Sequence, residues 1–141
     1  MASELQLRLD TKNGRLHDGR GRIFDPAARR WNKTVVAPWG EPVSPTRALL
    51  WLQRDSGAPL RAPVAVIGTR TPTTPQIEAA FAMGRLLAEH RVTVLCGGRA
   101  GVMEEVCRGV AEAGGLSIGL LPDDEPEAAN PYVTVPLATG I

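Results

Sequence analysis

The sequence predicts an α/β protein, a parallel βαβαβ unit preceded by a small β-meander and a short helix. Three observations carry this. Continuous apolar runs, "VAVIG" at 64–68, "VTVLC" at 92–96 and "LSIGLL" at 116–121, alternate with two stretches of helical spacing. Upstream, the turn dipeptides Asn13-Gly14 and Asp18-Gly19 interrupt short segments of alternating polarity. Between these halves a Gly/Pro-containing stretch near residue 60 marks a boundary, giving an extension at 1–60 and the parallel unit at 61–141.

In the extension, "LQLRL" places Leu5, Leu7 and Leu9 on one face, so a strand is expected there. Asn13-Gly14 turns the chain because both residues tolerate positive φ. "RLHDGRGRIFD" repeats the pattern, with Asp18-Gly19 as a second turn and "RIF" as a strand that Asp25-Pro26 ends, so residues 4–25 read as a meander. A further strand is expected at Thr34–Ala37, inside the proline-rich "KTVVAPWGEPVSP". Ser44 then suits an N-cap with Pro45 at the first helical position. "TRALLWLQRD" follows as a short helix covered on more than one side, and Gly57 and Pro59 stop it.

From residue 64 the apolar runs read as strands buried on both faces. Thr74-Pro75 starts a helix whose apolar stripe is Ile77, Phe81, Gly84 and Leu87. A second helix runs through Val102, Val106, Val110 and Ala113 to a Gly114-Gly115 stop. If both crossovers step the same way, both helices lie on one face of the sheet and the other stays open. The 44–54 helix, another subunit or residues outside this chain are then expected to cover it.

The totals exclude several classes. No apolar run approaches the roughly 20 residues of a membrane span, and the N-terminus lacks a secretory pattern, so a cytoplasmic protein is expected. Cys96 and Cys107 read as small buried thiols. His17 and His90 have no partners at metal-ligand spacing, so no metal site is expected. Residues 1–40 hold eight Lys/Arg against four acids, whereas residues 64–141 hold five Arg against nine acids. A basic segment can mark a nucleic-acid face, but this one alternates charge sign and lacks interleaved aromatics, so nucleic acid is not the expected partner.

The chemistry centres on "CGGRAGVMEE". Gly97 and Gly98 follow the second strand directly, and Gly101 opens the next helix. Glycine permits positive φ and close backbone approach, and a helix N-terminus offers unpaired N–H groups and the positive end of its dipole. Together they suit an anion such as phosphate; a tight turn needing glycine for geometry alone fits the same residues. Gly68, Thr69 and Arg70, after the first strand, fall at the same sheet edge, where ligands collect in parallel sheets. Arg70 and Arg99 are candidate partners for phosphate oxygens. Asp123 and Asp124 stand where a ribose-binding acid is expected, although "DDEPE" also reads as a solvated loop. Glu104 and Glu105 suit the helix dipole, and no partner group for a catalytic carboxylate is evident.

At "VAVIG", "CGGRAGVMEEVCRGVAEAGGLSIGLLP" and "EAANPYVTVPLATGI" the chain resembles the Lonely Guy-like (SLOG) nucleotide-binding proteins, in the branch compared with bacterial molybdenum-cofactor carriers. The resemblance covers about residues 62–141 and implies a Rossmann-like three-layer fold binding a nucleotide or the molybdenum cofactor at the strand ends. It implies phosphate contact at Gly97, Gly98, Gly101, Val102 and Met103, with Thr69 and Arg70 beside the ligand. The phosphoribohydrolases of the wider group read Gly-Leu-Met-Gly where this chain has "GVMEE", so Glu104 replaces their last glycine. Their second glycine-rich segment, which carries the catalytic glutamate, falls beyond Ile141. The resemblance therefore implies a non-catalytic binding protein, a fragment or a chain whose sheet is completed by a homo-oligomeric or other partner. Hydrolysis of nucleoside 5'-monophosphates and a nucleic-acid role for the basic segment are the alternatives.

Overall fold

A computed structural model describes residues 6–141. They divide into two compact units between Leu60 and Arg61. Leu5 of the expected stripe lies outside the described residues.

In the first unit, strands β1 (Arg8–Asp10), β2 (Arg15–His17), β3 (Arg22–Asp25), β4 (Arg30–Lys33) and β5 (Glu41–Pro42) form an antiparallel sheet in the order β4-β3-β2-β1-β5. The register sets Leu9 opposite Leu16, Leu16 opposite Phe24 and Phe24 opposite Trp31. These side chains therefore share one face, and with Leu7, Ala48 and Trp51 they build the core. Ala48 and Trp51 come from α1 (Pro45–Arg54), which Ser44 caps by accepting the Arg47 N–H at 3.1 Å. Each meander turn is organised by an aspartate. Asp10 accepts from the Lys12 and Asn13 amides and the Asn13 side chain. The buried Asp18 accepts from the Arg20 and Arg22 amides and the Arg22 guanidinium. One expectation fails here. Thr34–Ala37 is not a strand; the fourth strand is "RWNK", four residues earlier, where one half-buried aromatic, Trp31, stacks edge-on against Phe24 among polar neighbours.

In the second unit, β6 (Val64–Ala65), β7 (Val94–Cys96), β8 (Ser117–Leu121) and β9 (Val135–Ala138) form a parallel sheet in sequential order. The helices α2 (Thr74–Glu89) and α3 (Val102–Glu112) make the first two crossovers, and a loop with a 3-10 turn at Pro126–Ala128 makes the third. The expected α/β class is thus found, with β9 as an additional strand. An unbroken sequential order puts same-handed crossovers on one face, and α2 and α3 pack against each other there. Their core is Ala80, Ala88, Val94, Val106 and Val110.

Two details of the helices differ from the sequence reading. α2 starts at Thr74 as expected, but Pro75 is its second residue rather than its first, because the N-cap is Thr73, whose amide donates to the Gln76 side chain at 2.9 Å. The stripe that α2 buries is Ala80, Gly84 and Ala88, with Ile77, Phe81 and Leu87 only half-buried. A Cβ on Gly84 would stand 2.1 Å from the Val106 carbonyl, and one on Gly109 would stand 2.2 Å from the Phe81 carbonyl. The helices meet backbone to backbone, so small residues occupy the seam.

The strands are not buried on both faces. Val94, Cys96, Ser117 and Leu121 lie on the face that carries the helices and are buried, as is Gly119. Leu120, Val135 and Leu137 on the opposite face are exposed, and Ile67 beyond β6 is 85% exposed. With every helix of the unit on one side, the apolar residues of the other side have no layer of their own. No described helix is long and apolar enough to cross a membrane.

Candidate functional site

The carboxyl ends of β6, β7 and β8 meet at the glycine cluster. Gly98 adopts φ +69°, and a Cβ there would lie 3.0 Å from the Leu121 side chain and 3.3 Å from the Gly119 backbone. The turn therefore lies directly on β8, which only glycine in the left-handed region permits without strain. Gly101, the α3 N-cap, adopts φ +81°. A Cβ there would meet the Thr69 carbonyl at 2.3 Å. Gly68 is likewise packed, on the Val102 side chain. Gly97 is the loosest of the set: its Cβ would meet only the flexible end of Met103, with the sulfur 3.2 Å away.

These contacts bring together all nine expected residues: Gly68, Thr69, Arg70, Gly97, Gly98, Arg99, Gly101, Val102 and Met103. They also change which of them can receive an anion. The Val102 N–H donates to the Thr69 carbonyl at 3.0 Å, so the loop after β6 caps the first amide of α3. The Gly98 N–H donates to the Cys96 sulfur at 3.3 Å. Two of the expected phosphate donors are thus engaged within the protein. Among the described residues no protein acceptor meets the Met103 and Glu104 amides, the next two of the helix's first turn. These carry the free end of the helix dipole.

The side chains sort similarly. Arg70 is exposed, adjoins Gly101 through its backbone, and has no acidic partner among the described residues. Arg99, expected to face phosphate, instead forms an ion pair with Asp123. Asp123, the candidate ribose acid, is thus engaged with Arg99. The Arg99 Nε is buried and meets no hydrogen-bond partner among the described residues. Glu105 takes the Arg108 guanidinium through bonds of 2.9 and 2.6 Å, and the same guanidinium lies 4.2 Å over the Phe81 ring.

The residue that sequence reasoning missed is Asn130. It is buried, and its side-chain amide donates to the carbonyls of Gly98 at 3.2 Å and Arg99 at 3.1 Å. Its backbone N–H also donates to the Gly98 carbonyl, at 2.8 Å, while its Oδ1 accepts the Tyr132 amide at 3.1 Å. Asn130 therefore holds the turn from the far side. The Asn130-Pro131 dipeptide was the available signal, since asparagine before proline marks a turn. Beneath it, Ser117 and Thr134 exchange hydrogen bonds between the start of β8 and the approach to β9. Cys96 and Cys107 complete this buried polar layer, their sulfurs 3.5 Å apart.

Comparison with known proteins follows the same boundaries. A profile of the SLOG cluster4 family matches residues 61–141. Among solved structures, the molybdenum cofactor binding protein of the phototrophic bacterium Rippkaea orientalis is similar with a TM-score of 0.55 and 33% identity, over 58% of this chain and 52% of that one. The molybdenum cofactor carrier protein of Chlamydomonas reinhardtii has a TM-score of 0.51 and 36% identity, over 57% of this chain and 51% of its own. The chain spans about half the length of these solved structures. No curated protein matches it. With more than half its length matched by the profile, and with the glycine turn inside the match, the chain belongs to the SLOG cluster4 family.

Proposed function

We propose that the unit 61–141 binds a phosphate-bearing small molecule of the molybdenum-cofactor class at the glycine turn, without chemistry of its own. The observation that carries this is the pair of first-turn amides at Met103 and Glu104, left over where three parallel strands end and no Cβ intervenes at Gly97. Such amides bind anions through direct hydrogen bonds and the helix dipole. Arg70, which has no acidic partner among the described residues, adds a positive charge beside Gly101. The residues present fit a phosphate group: Met103 and Glu104 would hold it through their N–H groups, and Arg70 through its guanidinium. The likeness to the two molybdenum cofactor proteins, at 33% and 36% identity, favours that cofactor class over a generic anion.

The test is calorimetric titration with molybdopterin and with AMP, beside a Gly97→Asp variant. Gly97 is the position whose new side chain meets only a flexible methionine, so the variant adds a carboxylate at the turn with little effect on the fold. Binding by the parent and its loss in Gly97→Asp is the expected result. Equal heats from both proteins overturn the assignment.

A further inference from the structure

We propose that Cys96 and Cys107 form a reversible dithiol that hydroperoxides close to a disulfide beneath the glycine turn. The two sulfurs already touch, at 3.5 Å, one at the end of β7 and the other in the second turn of α3. A disulfide needs about 2.05 Å, so closure asks the sulfurs to approach by about 1.5 Å. The pair is buried, but its surroundings are polar. The Gly98 N–H donates to Cys96, and the side chains of Ser117 and Asn130 are buried polar groups near the pair. Hydrogen bonding from Cys107 lowers the Cys96 thiol to about 7, against the opposing effect of burial and with help from Gly98. The same bond and burial push Cys107 up. The pair thus has one sulfur disposed to act as the nucleophile and one to stay protonated until needed.

The Cys96 thiol gives up its proton and the thiolate attacks the distal oxygen of a hydroperoxide; the O–O bond breaks, the leaving alkoxide or hydroxide takes up one proton to depart as an alcohol or water, and Cys96 becomes a sulfenic acid. Cys107 sulfur then attacks the Cys96 sulfur, the S–S bond forms, and the hydroxyl leaves as water with the Cys107 proton. Two thiols lose two electrons in total and the peroxide gains them. The product encloses residues 97–106 in a covalent ring, tying the end of β7 to α3 around the glycine turn.

The experiment treats the reduced full chain with hydrogen peroxide and maps it by trypsin and mass spectrometry. Cleavage after Arg91, Arg99 and Arg108 puts the two cysteines on separate peptides, 92–99 and 100–108. The expected result is that these peptides are joined within one chain, lighter by two hydrogens, and released by dithiothreitol. In Cys107→Ser the join vanishes and dimedone traps a sulfenic acid on Cys96. Unmodified peptides, separately oxidised peptides, or a join found only between two chains overturn the proposal. Because the readout is bond formation in the parent protein, it is decided whether or not a ligand binds at the turn.

Discussion

Replacing Asn130 by alanine tests how the glycine turn is held. The substitution removes three hydrogen bonds of 3.1–3.2 Å: two donated by the side-chain amide to the Gly98 and Arg99 carbonyls, and one accepted from the Tyr132 amide. The Gly98 carbonyl keeps the backbone N–H of residue 130, at 2.8 Å, so it is not orphaned. The Arg99 carbonyl and the Tyr132 amide lose these partners. At about 1 kcal/mol net for each bond, the variant is expected to lose about 2–3 kcal/mol. For a unit of this size that corresponds to a fall of about 10–20 °C in melting temperature. Urea and thermal unfolding followed by circular dichroism at 222 nm read it directly, since the turn joins β7 to α3, and α3 packs on β7, β8 and α2. Asn130→Asp sharpens the test. It keeps an acceptor for Tyr132 but sets a carboxylate against two carbonyls, so its loss is expected to be at least as large. A cost below about 0.5 kcal/mol for Asn130→Ala would refute the idea that this side chain secures the turn.

Further outcomes follow from other parts of the molecule. Gly84→Ala puts a methyl 2.1 Å from the Val106 carbonyl and is expected to cost about 1–3 kcal/mol by overpacking; an unchanged melting temperature contradicts the close seam. Ser44→Ala removes the bond to the Arg47 amide and is expected to cost the first unit about 1 kcal/mol, measurable as a shift in the tryptophan-monitored urea midpoint. Burial pushes the Asp18 carboxyl up, but bonds from the Arg22 guanidinium and the Arg20 and Arg22 amides together bring it below its ordinary value. Its contribution is therefore full above the unfolded value of about 3.9 and is lost as pH falls through the lower folded value. Acid titration of the first unit's stability should show this loss, and Asp18→Asn should flatten it. The exposed apolar face carrying Leu120, Val135 and Leu137 predicts self-association at micromolar concentration. Light scattering behind size exclusion should show a lower mass for Leu120→Lys/Leu137→Lys than for the parent.

The parallel unit was legible because its strands are continuous apolar runs and its helices keep their period. Val106 and Val110 are buried as their spacing predicts. β9 was not legible because "VPLA" contains Pro136, which argues against a strand unless it lies at an edge, and β9 is an edge strand. β4 escaped because "RWNK" has one apolar residue, and its pairing with β3 rather than its composition makes it a strand. At the site, the glycines announced a close turn correctly. What they could not announce is which amides stay free. The Thr69 carbonyl that caps Val102 and the cysteine sulfur that takes the Gly98 N–H are supplied by chain folding, and backbone acceptors leave no mark in residue identity. The Arg99–Asp123 ion pair was hidden for a related reason: Asp123 is 24 residues away and reaches Arg99 only once β7 and β8 lie side by side.

The glycine seam between α2 and α3 reaches beyond packing. Where two helices touch through their main chains, neither has a side-chain cushion that can flex to absorb a displacement. The pair should tilt and slide as one plate, so the amide-bearing tip of α3 takes its aim from contacts at Gly84 and Gly109, well down the helix. Substitutions there would mis-aim the tip without touching it, and loss of grip on a guest molecule could arise far from any residue that meets it.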